Sequence, residues 1–461
     1  MKVKLQGAKV TKLSVVDSIA VTAMSLSPHN GTAPGVQKRI REIAIIGAGI
    51  AGLTVSPCRT IYVDLNESAN TFLKTALTLQ AHGIKSTIYE RRSQDYHTGR
   101  GNSLSISPNA LRVLAKMGVY EALRPEGCES NAMTFRRADG SVIDLMKWGD
   151  KNSYGFPCLR IFRDRLLHQL KLAAHRQGIV VHYDCGVDHV VQENDSGVTF
   201  ALSDGTTRTA DLLVAADGTH SKIRKQYWPE IVPVFQGVLA VFGTTHPSAI
   251  VLPSPDYTLP STVVTAKGAI MLVPTVPDQS EASVVRQFPV SDRSREEWDK
   301  LQASPADMLD LLAKDIDVFP EVARTAIEGI DMSTLTIWPH ALSPMLEDWL
   351  TPGGKVVLVG DAAHSIPPSG GQGANQAIED AHTLGLALAM SSKTDRSLGD
   401  ALTIWQECRK ERRYGVLEFN ALMNQRRSTL AAAQAAKPLE PELLKLYGYD
   451  AAAELMKRFE A

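Results

Sequence analysis

The chain of 461 residues is longer than one ordinary hydrophobic core supports, so it holds two domains or one large α/β unit with an inserted layer. Hydrophobic residues at 44%, charged residues at 21% and a formal net charge of −1 describe a globular protein without the field that recruits nucleic acid or anionic membranes, which points to small-molecule partners. The five cysteines, Cys58, Cys128, Cys158, Cys185 and Cys408, form no CxxC pair, which argues against a disulfide framework or a metal site and for a reducing, cytoplasmic compartment.

Residues 1–39 read as a disordered leader: Lys2, Lys4, Lys9 and Lys12 precede a modest apolar stretch, but Asp17 interrupts it and no small-residue cleavage site follows. Met24, ahead of a Ser-, Pro-, Asn- and Gly-rich linker, is an alternative start. No apolar run reaches the roughly eighteen residues of a membrane span, so no transmembrane segment is expected.

The run Glu42-Ile43-Ala44-Ile45-Ile46 reads as a buried parallel strand leading into Gly47-Ala48-Gly49-Ile50-Ala51-Gly52. Gly47 permits a tight turn, Gly49 lets the backbone approach a pyrophosphate, and Gly52 lets the following helix pack on the strand, with the helix N–H groups facing phosphate. Such a motif calls for an acidic residue about 20 positions further on, at the end of a second strand. The matching strand ends in Ile88-Tyr89-Glu90-Arg91, and Glu90 stands 38 positions after Gly52.

The excess has a location. Leu53-Thr54 joined to Thr75-Ala76-Leu77 makes one amphipathic helix, and removing residues 55–74 leaves Glu90 18 positions after Gly52. Pro57 breaks a helix there, and Thr60-Ile61-Tyr62-Val63 is β-prone. Val55-Ser56 can be encoded GTAAGT, Ala69-Asn70 GCTAAC, and Lys74 can end in AG, the order of donor, branch site and acceptor. We read 55–74 as a retained intron, with a true surface insertion as the alternative. Genomic DNA lacking GT at codon 55 or AG at codon 74 refutes the intron.

Two further stretches complete a constellation. One strand, Asp211-Leu212-Leu213-Val214-Ala215-Ala216, enters Asp217-Gly218-Thr219-His220-Ser221-Lys222-Ile223-Arg224; another, Lys355-Val356-Val357-Leu358-Val359, enters Gly360-Asp361-Ala362-Ala363-His364, then Pro368, Gly370-Gly371-Gln372-Gly373-Ala374-Asn375 and Glu379-Asp380-Ala381. With the Gly-rich loop, the chain from about Glu42 to Arg413 resembles the class A flavoprotein monooxygenases, the p-hydroxybenzoate and salicylate hydroxylase-like family.

The resemblance implies an α/β fold: a Rossmann-type FAD-binding domain with an inserted β-rich substrate domain and C-terminal helices. The expected division is 40–122, 155–232 and 346–392 for FAD, 123–154 and 233–345 for substrate, and 393–461 for a C-terminal helical segment. It implies non-covalent FAD, NADPH or NADH as co-substrate, and O₂, with hydroxylation of an aromatic or polyketide- or terpenoid-like molecule through a flavin C4a-hydroperoxide. Asp361 falls at the ribityl position, Ala374 where the backbone meets the flavin ring, and Gly373 in the turn before it. Asp217 and Arg224 take a shared role toward FAD and NAD(P)H, with Arg224 near pyrophosphate. Arg163 matches a helix-borne Arg that reaches FAD, Gly101 and Ser103 fall on a loop that touches the cofactor, and Glu90 with Arg91 closes the ribose end.

Other residues get plainer readings. His364 is taken as a structural hydrogen-bond donor, Cys158 as a small buried hydrophobe, and Arg409-Lys410-Glu411-Arg412-Arg413 as a solvated helix face. No metal site is expected. Phe242, Met271, Trp338 and His340 are candidate pocket walls, with plain core packing the alternative for each. Many relatives carry Arg or Tyr where Phe242-Gly243-Thr244 stands, which argues against a substrate carboxylate and for a phenol or a larger ring. A flavin-dependent epoxidase on the same scaffold is the rival enzyme; a non-catalytic product of a mis-spliced transcript is the rival from another class.

Overall fold

The computed structural model describes residues 40, 42–47, 85–94, 103–391, 393–436 and 439–460. The leader, Gly49, Gly52, Gly101 and the segment 55–74 lie outside them.

Apolar runs make the first layer. Ile43 to Ile46, Leu212–Ala215 and Val356–Leu358 are buried throughout, as strands covered on both faces must be. They form a parallel sheet in the order Val356–Leu358, Leu212–Ala215, Glu42–Ile46, Lys85–Tyr89, Val180–His182. The register sets Ile46 beside both Ala215 and Tyr89, so successive strands end side by side and their carboxyl ends open on one edge.

Five helices matter for the site: α1 (Pro108–Lys116), α2 (Arg163–Arg176), α3 (Lys222–Tyr227), α4 (Gly373–Ser391) and α5 (Leu398–Ser428). From Asn375 to Ala389, α4 is buried on almost every side, polar residues included. An all-round buried helix belongs in the centre of a structure, and its polar residues need partners there. α4 starts at Gly373, inside the glycine-rich turn itself.

The second layer is a seven-stranded sheet in the order Ile330–Leu342, Val234–Thr245, Ala282–Pro289, Gly268–Pro274, Ser261–Thr265, Met133–Arg136, Val142–Met146. Alternation along the strands divides its faces. Leu239, Val241, Ile270, Leu272 and Val284 point into a core with Met308 and Leu312 of the helix Pro305–Ala313 and Val322 and Ala326 of the helix Glu321–Glu328. The opposite face carries Phe242, Val285, Met271 and Thr262, which are successive cross-strand neighbours. A three-stranded sheet, Ser103–Ile106, Cys158–Phe162 and Cys128–Ser130, completes the central part. Beyond α5 the chain ends in the helices Leu430–Ala435, Glu440–Tyr447 and Ala451–Glu460. The α/β fold with a β-rich layer and C-terminal helices is as the resemblance implied.

Candidate cofactor and substrate site

In a parallel sheet of this kind ligands bind beyond the carboxyl ends of the strands. Gly47 sits there with φ +93°, donates its N–H to Tyr89 O at 2.8 Å, and comes so close to the neighbouring strand that an added Cβ would stand 2.8 Å from Ala216 O. Only glycine fits such a position. Glu90 follows the next strand; its Oε1 accepts from Arg92 N at 2.8 Å, and Arg91 is exposed.

Beyond Leu212–Ala215, Asp217 Oδ2 accepts from Lys222 N at 2.8 Å and closes the first turn of α3, while its buried Oδ1 has no partner. Asp217 thus anchors this loop to the start of α3. Arg224 departs from expectation. Its guanidinium donates to Asp361 O at 3.1 Å, Ala362 O at 2.8 Å, Ile231 O at 3.3 Å and Thr219 O. Buried at 2% exposure and occupied by carbonyls, it clamps the Thr219 loop to the Asp361 turn instead of facing outward to a pyrophosphate.

Asp361 lies at the start of the short helix after Val356–Leu358, beyond Gly360 with φ +58°. Thr219 Oγ1 donates to its Oδ2 at 3.4 Å. Burial raises its pKa, opposed by the neighbouring His364 and Arg163. Arg163, at the first position of α2, is near enough for its charge to act on Asp361. Ser103 is found within a strand; its Oγ accepts from Arg160 Nη2 at 2.6 Å and lies 2.8 Å from Ser283 Oγ.

At the start of α4, Gly373 and Ala374 are partly exposed, the first turn holds no acidic residue, and a Cβ added to Gly373 would meet nothing within 4 Å. Three or four unpaired N–H groups and the positive end of the helix dipole face this open space. Asn375 fixes the end: its Oδ1 accepts from Ser107 N at 3.0 Å and its Nδ2 donates to Ser105 O at 3.0 Å and Gly371 O at 2.7 Å.

The run Arg409 to Arg413 is not a solvated face. Arg409 is 1% exposed and gives Nη1 to Glu379 at 2.7 Å and Nε to Asp380 at 2.7 Å; Arg412 gives Nη2 to Glu379 at 3.1 Å, and Asn109 adds a donor at 2.5 Å. Arg413 donates to Ser343 O at 2.8 Å. Two adjacent carboxylates inside a buried helix demand cations, and α5 supplies them from positions three apart on one face. The signal was present in Ala377-Ile378-Glu379-Asp380-Ala381, whose acidic pair interrupts an otherwise apolar stretch. Burial alone raises both acids; His364 and Arg409 overcome it for Asp380, bringing it to about 2, and Arg412 and Arg409 overcome it for Glu379, whose pKa is lowered. His364 is buried and bonded to Asp380, in agreement with its structural reading, and Cys158 is buried as expected.

Phe242, Met271, Trp338 and His340 share one face of the seven-stranded sheet by alternation and register. Met271 lines a small cavity with Thr262, Ala269, Val285, Gln287 and Arg427; the other three candidates do not. Trp338 is 37% exposed, and His340 is buried with Nε2 unpartnered. Among the described residues no His, Cys, Asp and Glu cluster suits a metal ion, and no helix is long and apolar enough to cross a membrane. A close-approach glycine, a carboxylate with a nearby arginine, an open helix N-terminus and the orphan Asp217 Oδ1 together fit a dinucleotide cofactor that carries both hydroxyls and anionic groups.

Residues 71–414 match the family described as FAD binding domain. A 3-amino-4-hydroxybenzoate 2-monooxygenase of Streptomyces platensis is 29% identical over 383 residues, 80% of this chain and 84% of that one. A hispidin-3-hydroxylase of Neonothopanus nambi is 26% identical over 391 residues, 80% and 85%. A salicylate hydroxylase solved with its substrate superposes with a TM-score of 0.69 at 22% identity, over 91% of this chain and 98% of that one.

Proposed function

Because the chain belongs to the class A FAD-dependent aromatic hydroxylases, we propose that it uses NADPH or NADH and O₂ to place a hydroxyl on an electron-rich aromatic or larger phenolic small molecule. The observation that carries this reading is the buried Asp361 carboxylate beyond the end of Val356–Leu358, under the charge of Arg163 and on a turn that α4 holds through Asp380. Relatives that share most of their length with this chain act, by name, on 3-amino-4-hydroxybenzoate and hispidin, both hydroxylated rings.

In this reading Asp361 accepts hydrogen bonds from ribityl hydroxyls, the N–H groups of Gly373 and Ala374 face the pyrimidine end of the flavin and stabilise negative charge there, and the turn at Gly47 lies against pyrophosphate. Arg163 balances the anionic groups that gather there. Glu90 serves a ribose hydroxyl. The parallel sheet carries the cofactor, and the face of the seven-stranded sheet bearing Met271 and Phe242 carries the substrate. When bound, FAD supplies electron transfer from the nicotinamide and oxygen transfer to the ring. The chain's own part is to orient the partners and to exclude water between its two layers.

The test is to purify the full chain, release its flavin with acid, and screen phenolic compounds for stimulation of NADPH or NADH oxidation. A stimulating compound should gain one oxygen atom by mass. Flavin that stays with the acid precipitate, or oxidation without any oxygenated product across the screen, contradicts the reading.

A further inference from the structure

Ser283 stands inside the seven-stranded sheet, where the register sets it between Thr244 and Val273 on the face that also carries Phe242 and Val285. It is 1% exposed, and a hydroxyl so placed is a cost unless it is bonded. Two partners bond it: Ser103 Oγ at 2.8 Å and Thr275 Oγ1 at 2.9 Å. Ser103 belongs to the three-stranded sheet, so the first of these contacts joins two sheets that share no strand. The strand that begins at Ser103 also meets the cofactor side. Ser105 O accepts from Asn375 Nδ2 at 3.0 Å, Ser107 N donates to Asn375 Oδ1 at 3.0 Å, and Asn375 lies in the first turn of α4.

The protons along these hydroxyls have one consistent order. Arg160, opposite Ser105 on the next strand, has only donors to give, Nη2 to Ser103 Oγ at 2.6 Å and Nη1 to Ser105 Oγ at 3.0 Å. Ser103 accepts from the guanidinium, and its own proton goes to Ser283. Ser283 in turn donates to Thr275, and Thr275 Oγ1 donates to Val273 O at 3.3 Å. In the reverse order the Ser103 proton has no acceptor within the chain. A charged donor at one end and a carbonyl at the other polarise the series in one direction, which strengthens each bond.

We propose that Ser283, with Ser103 and Thr275, positions the substrate sheet against the strand that adjoins α4, and that this tie keeps the space between the layers closed over the flavin ring. This deepens the hydroxylase reading given above and rests on it. Ser283 touches no cofactor in this account; it acts through Ser103 and Asn375. An apolar side chain at 283 packs equally well at several small displacements of the sheet, whereas bonds to two fixed oxygens select one. Oxygen transfer tolerates little displacement and little water.

The full chain loaded with FAD is titrated with acrylamide, a neutral quencher, while the fluorescence of the bound flavin is followed. S283A removes one neutral hydrogen bond between the layers and is expected to raise the quenching constant about two- to tenfold, the change such a bond makes in a closed-to-open equilibrium. T275V, which keeps the shape and loses the hydroxyl, should shift it in the same direction, and T275S should hold the parental value. I327V, a deletion of similar cost in the core on the opposite face of the sheet, should leave quenching unchanged and so separates positioning from general loosening. Unchanged quenching in S283A, whatever its melting temperature, or an equal rise in I327V overturns the positioning role and leaves the hydroxylase reading standing. If S283A sheds its FAD, T275V against T275S decides, and equal quenching in those two overturns the role. A parent chain that carries no FAD overturns both.

Discussion

Asp380 Oδ2 accepts from His364 Nε2 at 2.6 Å and from the Gly360 amide at 2.9 Å, so one buried carboxylate holds both ends of the turn that presents Asp361. Its other oxygen is held by Arg409 at 2.7 Å. The chain of contacts links α5, through α4, to the carboxyl edge of the sheet. R409M removes a cation from two carboxylates that are 0% exposed and should destabilise the fold by about 3–5 kcal/mol, the usual cost of leaving buried charge unmatched. Denaturant titration checks this, and a loss below about 1 kcal/mol shows that the carboxylates find other partners.

The same pair sets an acid limit. The folded-state pKa of Asp380 is about 2, below the unfolded value of about 3.9. Its contribution is therefore fully present above pH 4 and is lost as the pH falls toward 2. Glu379, lowered in the same sense, loses its contribution as the pH falls below the ordinary glutamate range. In D380N the stability should fall less steeply over that window, by up to about 1.4 kcal/mol per pH unit. Parallel acid profiles for the two proteins contradict the assignment.

Asp361→Ala should weaken FAD by one to two decades, the effect of about 1.5–3 kcal/mol for charge-assisted bonds at a desolvated carboxylate. Equilibrium dialysis or flavin fluorescence measures it. Unchanged retention of FAD places the ribityl contact elsewhere.

Gly47→Ala introduces a Cβ 2.8 Å from Ala216 O at a φ of +93°. The strain, about 1–3 kcal/mol, has to be relieved by separating the strands Glu42–Ile46 and Leu212–Ala215. Both the melting temperature and FAD occupancy should drop. A variant that melts like the parent shows that the strand ends are looser than the register implies.

Much of the architecture was legible because it is local. Apolar runs ahead of Gly47, Asp217 and Asp361 announce buried parallel strands, and their shared edge follows from strand-to-helix chemistry. The charge clusters were not legible in the same way. Arg409 to Arg413 reads as solvent-facing until α5 is laid against Glu379 and Asp380, which lie about thirty positions earlier in the chain. Arg224 follows a motif yet faces carbonyls, because only the folded loop shows which acceptors surround it. Arg160 carries no local signal at all: its partners come from a strand pairing that brings Ser103 and Ser105 beside it. The spacing argument for 55–74 concerns residues outside those described. It predicts that a chain without them holds more FAD and melts higher, and equal values in both respects count against it.

The central claim is a flavin that takes electrons from a nicotinamide and passes them to oxygen. The most direct measurement mixes the purified chain with NADPH, and separately with NADH, in the absence of air, and then admits O₂ while the visible absorption is followed. The account predicts a yellow protein whose FAD band bleaches with at least one nucleotide and returns with O₂. A colourless protein, or a bound flavin that neither nucleotide reduces even in the presence of the phenolic compounds of the screen, contradicts it.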